Sequence, residues 1–190
     1  MALFTGKGDK GATKLFDTPN GERVSKSSLV FECLGQLDEL NTIAGWCKVE
    51  AQSNRQRAIG DRTIAEILHE VQDHLFTIQA EAAGAQKSVP QESVEVMSSR
   101  INAIEKELPK IASFLVPGGT ELSARLDIAR AISRRAERRL VTLHESGERA
   151  ISESSRAYGN RLSSLFYALA RLVNHRASVS EKPPSYRDIS

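Results

Sequence analysis

Apolar residues three and four positions apart, repeated through five separate stretches, constrain this 190-residue chain more than any other feature. That spacing gathers side chains on one face of an α-helix. Val30, Leu34, Leu37, Ala44 and Cys47 mark a first helix; Ile64, Ile67, Leu68, Val71, Leu75, Ile78 and Ala82 mark a longer second one, stopped by Gly84. A third fits residues 91 to 108, between Pro90 and Pro109, through Val94, Met97, Ile101, Ile104 and Leu108. The fourth, from about 120 to 146, carries Leu122, Leu126, Ala129, Ile132, Ala136, Leu140 and Leu143; the fifth, from about 155 to 177, carries Leu162, Leu165, Phe166, Leu169 and Leu172. No alternating strand and no Asn-Gly hairpin signal separates them. Five amphipathic helices with mainly short links predict an all-α, five-helix antiparallel bundle.

The length suits one domain, assigned to residues 1–178 with a loop-rich start over about 1–30, where Asp17, Pro19, Asn20 and Gly21 form turns. Residues 179–190 contain adjacent prolines and no apolar face, which predicts a tail that is mobile or ordered only by a ligand. A formal charge of +2 is too small to announce nucleic acid as a partner, so any basic site is local. No apolar run approaches the ~18 residues of a membrane span, and residues 1–30 lack the apolar stretch of a signal peptide. Cys33 and Cys47 belong to no C-x-x-C pair and read as small buried hydrophobes in a reduced compartment, with the cytoplasm as the expected location.

Three short stretches carry candidate chemistry. The first, TGKGDKGAT at residues 5–13, sets Gly6, Gly8 and Gly11 among two lysines and two threonines. Glycines let successive backbone N–H groups face one anion, but such clusters at a terminus are also commonly disordered. Gly6 to Gly11 fits G-x-x-x-x-G, yet Ala12-Thr13 follows where a P-loop needs Lys-Ser/Thr, and no hydrophobic strand precedes it.

The second, RAISRRAERR at residues 130–139, has five arginines and one glutamate, a local charge of +4. Arg130, Arg134 and Arg138 fall along one face, Arg135 and Arg139 along a second row. A solvated face is one reading. Arginine throughout, with no lysine, instead suits forked contacts to carboxylate or phosphate, and the row repels itself unless anions sit among it.

The third, FLVPGGT at residues 114–120, makes a sharp connection in which Thr120 can cap the fourth helix and Phe114 and Leu115 would ordinarily anchor the loop to the core. In the first helix, LGQLDELN places Asp38 and Asn41 away from, or at the border of, the face of Leu37 and Leu40; Asp38 is either a surface carboxylate or a partner for one arginine of the fourth helix.

Other chemistries lack their residues. Glu66-x-x-His69 is a single E-x-x-H where a di-iron bundle needs two. His69, His74, His144 and His175 have no zinc spacing, and no G-x-S-x-G elbow is present.

T-G-K-G-D-K-G-A-T, D-E-L-N, F-L-V-P-G-G-T, R-R-A-E-R and N-R-L-S, in this order across about residues 4 to 175, resemble the PduO-type ATP:cob(I)alamin adenosyltransferases. The resemblance implies a homotrimer of five-helix bundles with ATP between adjacent subunits, transferring the 5′-deoxyadenosyl group of ATP to the Co(I) of a reduced corrinoid. By motif it implies that Thr5, Gly6, Lys7, Gly8 and Thr13 wrap the ATP phosphates and that Lys26 reaches ATP. It gives Arg134 and Arg138 phosphate and interface roles, with Arg135 and Glu137 beside them, and makes Asn160 a nucleotide-binding asparagine. Asp38 is implied to pair with Arg134 across the subunit boundary, and Phe114 to face the lower side of the corrin ring. Mg²⁺ would ride on the ATP phosphates near Glu137, with no certain protein ligand. A flavoprotein electron donor and an adenosylcobalamin-dependent enzyme are the implied partners. Ser164, Cys33-Leu34 and Gly6-Lys7 depart from the family pattern. The competing expectation is a non-enzymatic helical module whose arginine face docks on an acidic partner or nucleic acid.

Overall fold

The computed structural model describes residues 4–53, 57–60 and 62–186. Its helices are α1 (Leu29–Ser53), α2 (Ile64–Ala82), α3 (Gln91–Glu107), α4 (Glu121–Glu145) and α5 (Glu153–Arg176). Two short antiparallel pairs that the sequence pattern does not announce join them: β1 (Ala12–Thr13) with β2 (Val24–Ser25), and β3 (Arg57–Ile59) with β4 (Arg62–Thr63). Strands of two or three residues are too short for alternation to register as a pattern.

Local chemistry explains the helix starts. Thr63 caps α2 in a reciprocal box with Glu66, and Thr120 caps α4 by accepting from the Ser123 N–H while the Ser123 hydroxyl accepts from the Thr120 N–H. Ser152 caps α5 through the Ser155 N–H. Each cap satisfies backbone donors that have no partner inside the helix.

In space α1 packs on α2 and α4, α4 on α5, and α5 on α3. Arg125–Glu50 and Arg135–Glu39 show α1 and α4 running antiparallel, whereas Ser98–Arg161 and Glu107–Arg176 show that α3 and α5 run in the same sense. Sequence neighbours therefore alternate in direction, as expected of the bundle, but α3 lies beside α5. The Arg100–Glu70 ion pair and the His74–Tyr158 hydrogen bond of 3.0 Å tie α2 to α3 and α5. α5 is the most enclosed helix: Leu162, Leu165, Phe166, Leu169, Leu172 and Val173 are buried, and so are Arg171 and Asn174. Truncating a ring as enclosed as Phe166, with none of its surface exposed, costs about 3–5 kcal/mol.

The proline-rich composition predicts a tail from residue 179 that is mobile or ordered only by a ligand. In the structure, the Val179 N–H donates to the Asn174 carbonyl and the Lys182 carbonyl accepts from the Val116 N–H, each at 2.9 Å. Residues 187–190 of that tail lie outside the described residues.

Candidate active site

The loop that leads into α4 forms one wall of a cavity of about 830 Å³, with Arg130 and Arg134 of α4 and Ser164 and Tyr167 of α5 opposite. Phe114 projects into this opening with 84% of its surface exposed, and so does not anchor the loop to the core. With Ile111 and Val116 of the same loop also exposed along the cavity, the ring adds to an uncovered apolar lining that suits an apolar contact. Gly118 and Gly119, with φ of 108° and 136°, turn the chain behind it. The Gly118 N–H donates to Asp127 at 3.1 Å, and Asp127 also holds the Arg130 guanidinium at 3.1 Å. Arg130 lies over the Tyr167 ring, 6.0 Å from its centroid.

The arginines of α4 divide into two groups. Arg135 is bound by Glu39 at 2.8 and 2.9 Å and by Gln36, and Arg139 approaches Glu32 at 3.8 Å. Arg125 pairs with Glu50 and Glu121 and lies over Trp46. These residues bind α4 to α1, so the structure engages Arg135 within the bundle. Arg134 and Arg138 are exposed and have no carboxylate partner among the described residues; Arg138 reaches only the Arg134 carbonyl, at 3.0 Å. The exposed row therefore combines the two α4 arginines that lack a carboxylate partner among the described residues.

One turn along α4, Glu137 borders a second groove of about 380 Å³ with Glu153, Arg156 and Asn160 of α5. The Arg156 Nε is buried there without a hydrogen-bond acceptor. Arg134 with Ser163, and Glu137 with Asn160, continue the antiparallel register set by Arg130 and Tyr167. The arginine row thus lies between an apolar-mouthed cavity and a polar groove.

The N-terminal loop is shaped. The Asp9 N–H donates to the Gly6 carbonyl at 3.2 Å and the Gly11 N–H to the Gly8 carbonyl at 3.1 Å, and the loop's end is tied to residues 24–26 by β1–β2 pairing and a 2.9 Å bond from the Lys26 N–H to the Gly11 carbonyl. Gly6 and Gly11 have φ of 66° and 75°, which other residues rarely adopt. Lys26 crosses the loop so closely that a Cβ on Gly8 would stand 2.9 Å from its Nζ. The Arg23 guanidinium donates to the Lys7 carbonyl at 2.7 Å and to the Ala12 carbonyl, holding the two limbs together. The sequence pattern does not single out Arg23, because both of its partners are backbone carbonyls. The loop is tethered by the Phe16 N–H to the Ala83 carbonyl and by Asp17 to Arg149. Among the described residues, no hydrogen bond or ion pair joins Thr5, Gly6, Lys7, Gly8, Thr13 or Lys26 to Arg134, Arg138 or Asn160.

Asp38 is exposed, and within the chain no hydrogen bond or ion pair engages its carboxylate among the described residues. Asn41, expected away from or at the border of the Leu37 face, is buried, and its backbone carbonyl accepts from Gln72 at 3.1 Å. Three residues displace a side chain by about 60° around the helix, enough to carry it from rim to interior.

A helical bundle with an unpaired arginine row between an apolar-mouthed cavity and a polar groove defines a binder of a phosphate-rich ligand beside a large, partly apolar one. The family model for cobalamin adenosyltransferase matches residues 3–173, and the chain belongs to that family. It is 40% identical over 185 residues to the corrinoid adenosyltransferase of Bacillus subtilis (strain 168), covering 95% of this chain and 91% of that one. It is 34% identical over 185 residues to the cobalamin adenosyltransferase of Cupriavidus metallidurans, covering 94% and 91% of the two chains. A solved phenylalanine-to-histidine variant of the PduO-type ATP:corrinoid adenosyltransferase from Lactobacillus reuteri, complexed with cobalamin and ATP, superposes with a TM-score of 0.82 at 28% identity, over 98% of this chain and 97% of that one. An arginine-to-lysine variant of the Lactobacillus reuteri enzyme, complexed with ATP, gives 0.82 at 30% identity over 97% and 100%.

Proposed function

We propose that this protein transfers the 5′-deoxyadenosyl group of ATP to the Co(I) centre of a reduced corrinoid, giving adenosylcobalamin and triphosphate. The observation that carries this reading is the exposed Arg134–Arg138 row, unpaired among the described residues, between the Phe114 cavity and the Asn160 groove. The corrin occupies the cavity under Phe114. ATP lies along the row, with Asn160 and Glu137 on one side and Thr5, Gly6, Lys7, Gly8, Thr13 and Lys26 from a neighbouring chain on the other. That division accounts for the separation of loop and arginines in one chain, and supports a homotrimer in which Asp38 meets Arg134 of the next subunit. Arg135 supports the site by bracing α4 on α1.

No nucleophile from the protein is needed. Co(I) carries the electron pair, the C5′–O bond breaks as the C5′–Co bond forms, and triphosphate leaves with the bonding electrons. Arg134, Arg138 and Lys26 stabilise the negative charge on the leaving group, and fixing both substrates in line supplies much of the remaining barrier reduction. Glu137 and Glu153 line one groove, and two carboxylates beside substrate phosphates suit Mg²⁺. When bound there, Mg²⁺ would neutralise phosphate charge. Phe114 offers cobalt no lower donor, which favours reduction of Co(II) to Co(I) by an external flavoprotein. The product would pass to an adenosylcobalamin-dependent enzyme. The buried free thiols Cys33 and Cys47 suit the cytoplasm.

The test is anaerobic incubation with Mg-ATP and chemically reduced cob(I)alamin. Light-sensitive adenosylcobalamin and equimolar triphosphate are expected. Salt-sensitive binding to nucleic acid or an acidic protein, with no ATP binding, would instead favour the helical docking module.

A further inference from the structure

The loop that carries Phe114 is held from behind by groups that neither arginine row nor phosphate loop uses. Arg171, 7% exposed at its side chain, donates through Nε to Glu181 at 3.0 Å and through Nη2 to the Pro109 carbonyl at 3.0 Å. Asn174, also buried, donates through Nδ2 to the Gly118 carbonyl at 2.9 Å and to Glu181 at 3.4 Å, while its Oδ1 accepts from the Thr120 N–H at 3.2 Å. The Val116 N–H reaches the Lys182 carbonyl. Both ends of the 109–120 loop and the segment after α5 therefore converge on one carboxylate. A Cβ on Gly119 would overlap the Asn174 amide, so the backbone approach is as close as glycine permits.

We propose that Glu181 is a positioning residue for corrinoid use, acting through Arg171 and Asn174 to hold residues 109–120 so that Phe114 stays over the cavity. An almost fully buried guanidinium requires a hydrogen-bonded counter-charge, and Glu181 supplies it. Without that carboxylate, Arg171 turns toward solvent, and its hold on Pro109 and the strap at Val116 is lost. The loop then samples positions in which the ring no longer faces cobalt. A displacement near 1 Å at a reacting centre costs roughly 10- to 100-fold in rate. The proposal rests on the adenosyltransferase reading and adds a segment that a mobile tail could not provide.

The test compares wild type, Glu181→Ala and Glu181→Gln by amide hydrogen exchange and by adenosylation from cob(II)alamin with a reductant and from pre-reduced cob(I)alamin. Glu181→Ala is expected to exchange peptides spanning 114–120 at least tenfold faster while α1 is unchanged. Its turnover from cob(II)alamin falls at least tenfold, that from cob(I)alamin falls less, and KM for ATP stays within about twofold. Glu181→Gln, which keeps one acceptor oxygen for Arg171 but turns an amide NH2 toward the Asn174 NH2 and carries no charge, should recover part of each effect. Unchanged exchange at 114–120, or equal losses from both cobalt states with a raised KM for ATP, would overturn the positioning role. Absence of adenosylcobalamin from wild type would overturn the adenosyltransferase reading itself; in that case the exchange comparison still decides whether Glu181 holds the loop.

Discussion

Arg135 of α4 is held by Glu39 of α1 at 2.8 and 2.9 Å, while Arg134, its neighbour in sequence, is exposed and has no carboxylate partner among the described residues. A step of about 100° around the helix separates a structural arginine from one that is available to an anion. The site is thus defined as much by the carboxylates of α1 as by the arginines of α4.

Arg138→Ala should lower kcat/KM for ATP by roughly 10²–10³-fold, the scale of losing one charged contact to a developing anion. The fold should persist, because among the described residues the Arg138 side chain bonds only to the Arg134 carbonyl. Steady-state kinetics and circular dichroism check both halves; wild-type kinetics would remove Arg138 from the site.

Phe114→Ala should leave stability within about 0.5 kcal/mol, since the ring is exposed and its loss opens no cavity. Conversion from Co(II) should slow far more than conversion from pre-reduced Co(I). Equal slowing of the two would show that the ring binds corrin without assisting reduction.

Gly119→Ala should destabilise the chain by about 1–3 kcal/mol and impair corrinoid use, because φ is 136° and the added methyl meets Asn174. Urea unfolding gives the first quantity and KM for cobalamin the second. An unaffected variant would contradict the close approach behind the Phe114 loop.

Acid should weaken the fold through identifiable groups. Hydrogen bonds from Arg135 to Glu39 and from Arg176 to Glu107 hold both carboxyls below the ordinary value of 4.5. Their contribution is present above that value and is lost as pH falls through the lowered folded values, because the unfolded chain takes up the protons first. Burial likewise lowers His74 below 6.5, so stability declines first below that pH. Exposure limits each carboxylate pair to under about 1 kcal/mol. Glu39→Gln should flatten the fall of Tm below pH 4.5; an identical slope would show that the pair contributes nothing.

Cys33 and Cys47 should resist alkylation in the folded protein, since burial pushes both thiols up to about 12. Mass spectrometry after iodoacetamide at pH 8 should find modification only in denaturant. Rapid native labelling would contradict their burial.

The helices and the Thr120 cap were legible because periodicity and capping are local signals. Arg134 and Arg138 were legible as a row. Which arginines lack partners was not, because that depends on Glu32, Glu39 and Glu50, about eighty to a hundred residues away on another helix. The burial of Asn41 was not legible because it depends on α2 packing over that side of α1, where Gln72 reaches the Asn41 backbone. Glu181 gave no signal because Arg171 reads as a surface residue until α3, the loop and the tail enclose it. Arg23 was overlooked because its partners are backbone carbonyls, which no residue pattern displays.

The arginine row of one chain is expected to work with the N-terminal loop of another. Lys26→Ala and Arg138→Ala chains, each inactive alone, should be co-expressed with different tags, purified through both, and assayed for adenosylcobalamin. Selection through both tags leaves mixed trimers, in which about a third of the interfaces keep both halves intact, so activity of about a third of wild type is predicted. Mixed assemblies that form but remain inactive would show that loop and arginines serve the same chain, contradicting the shared site.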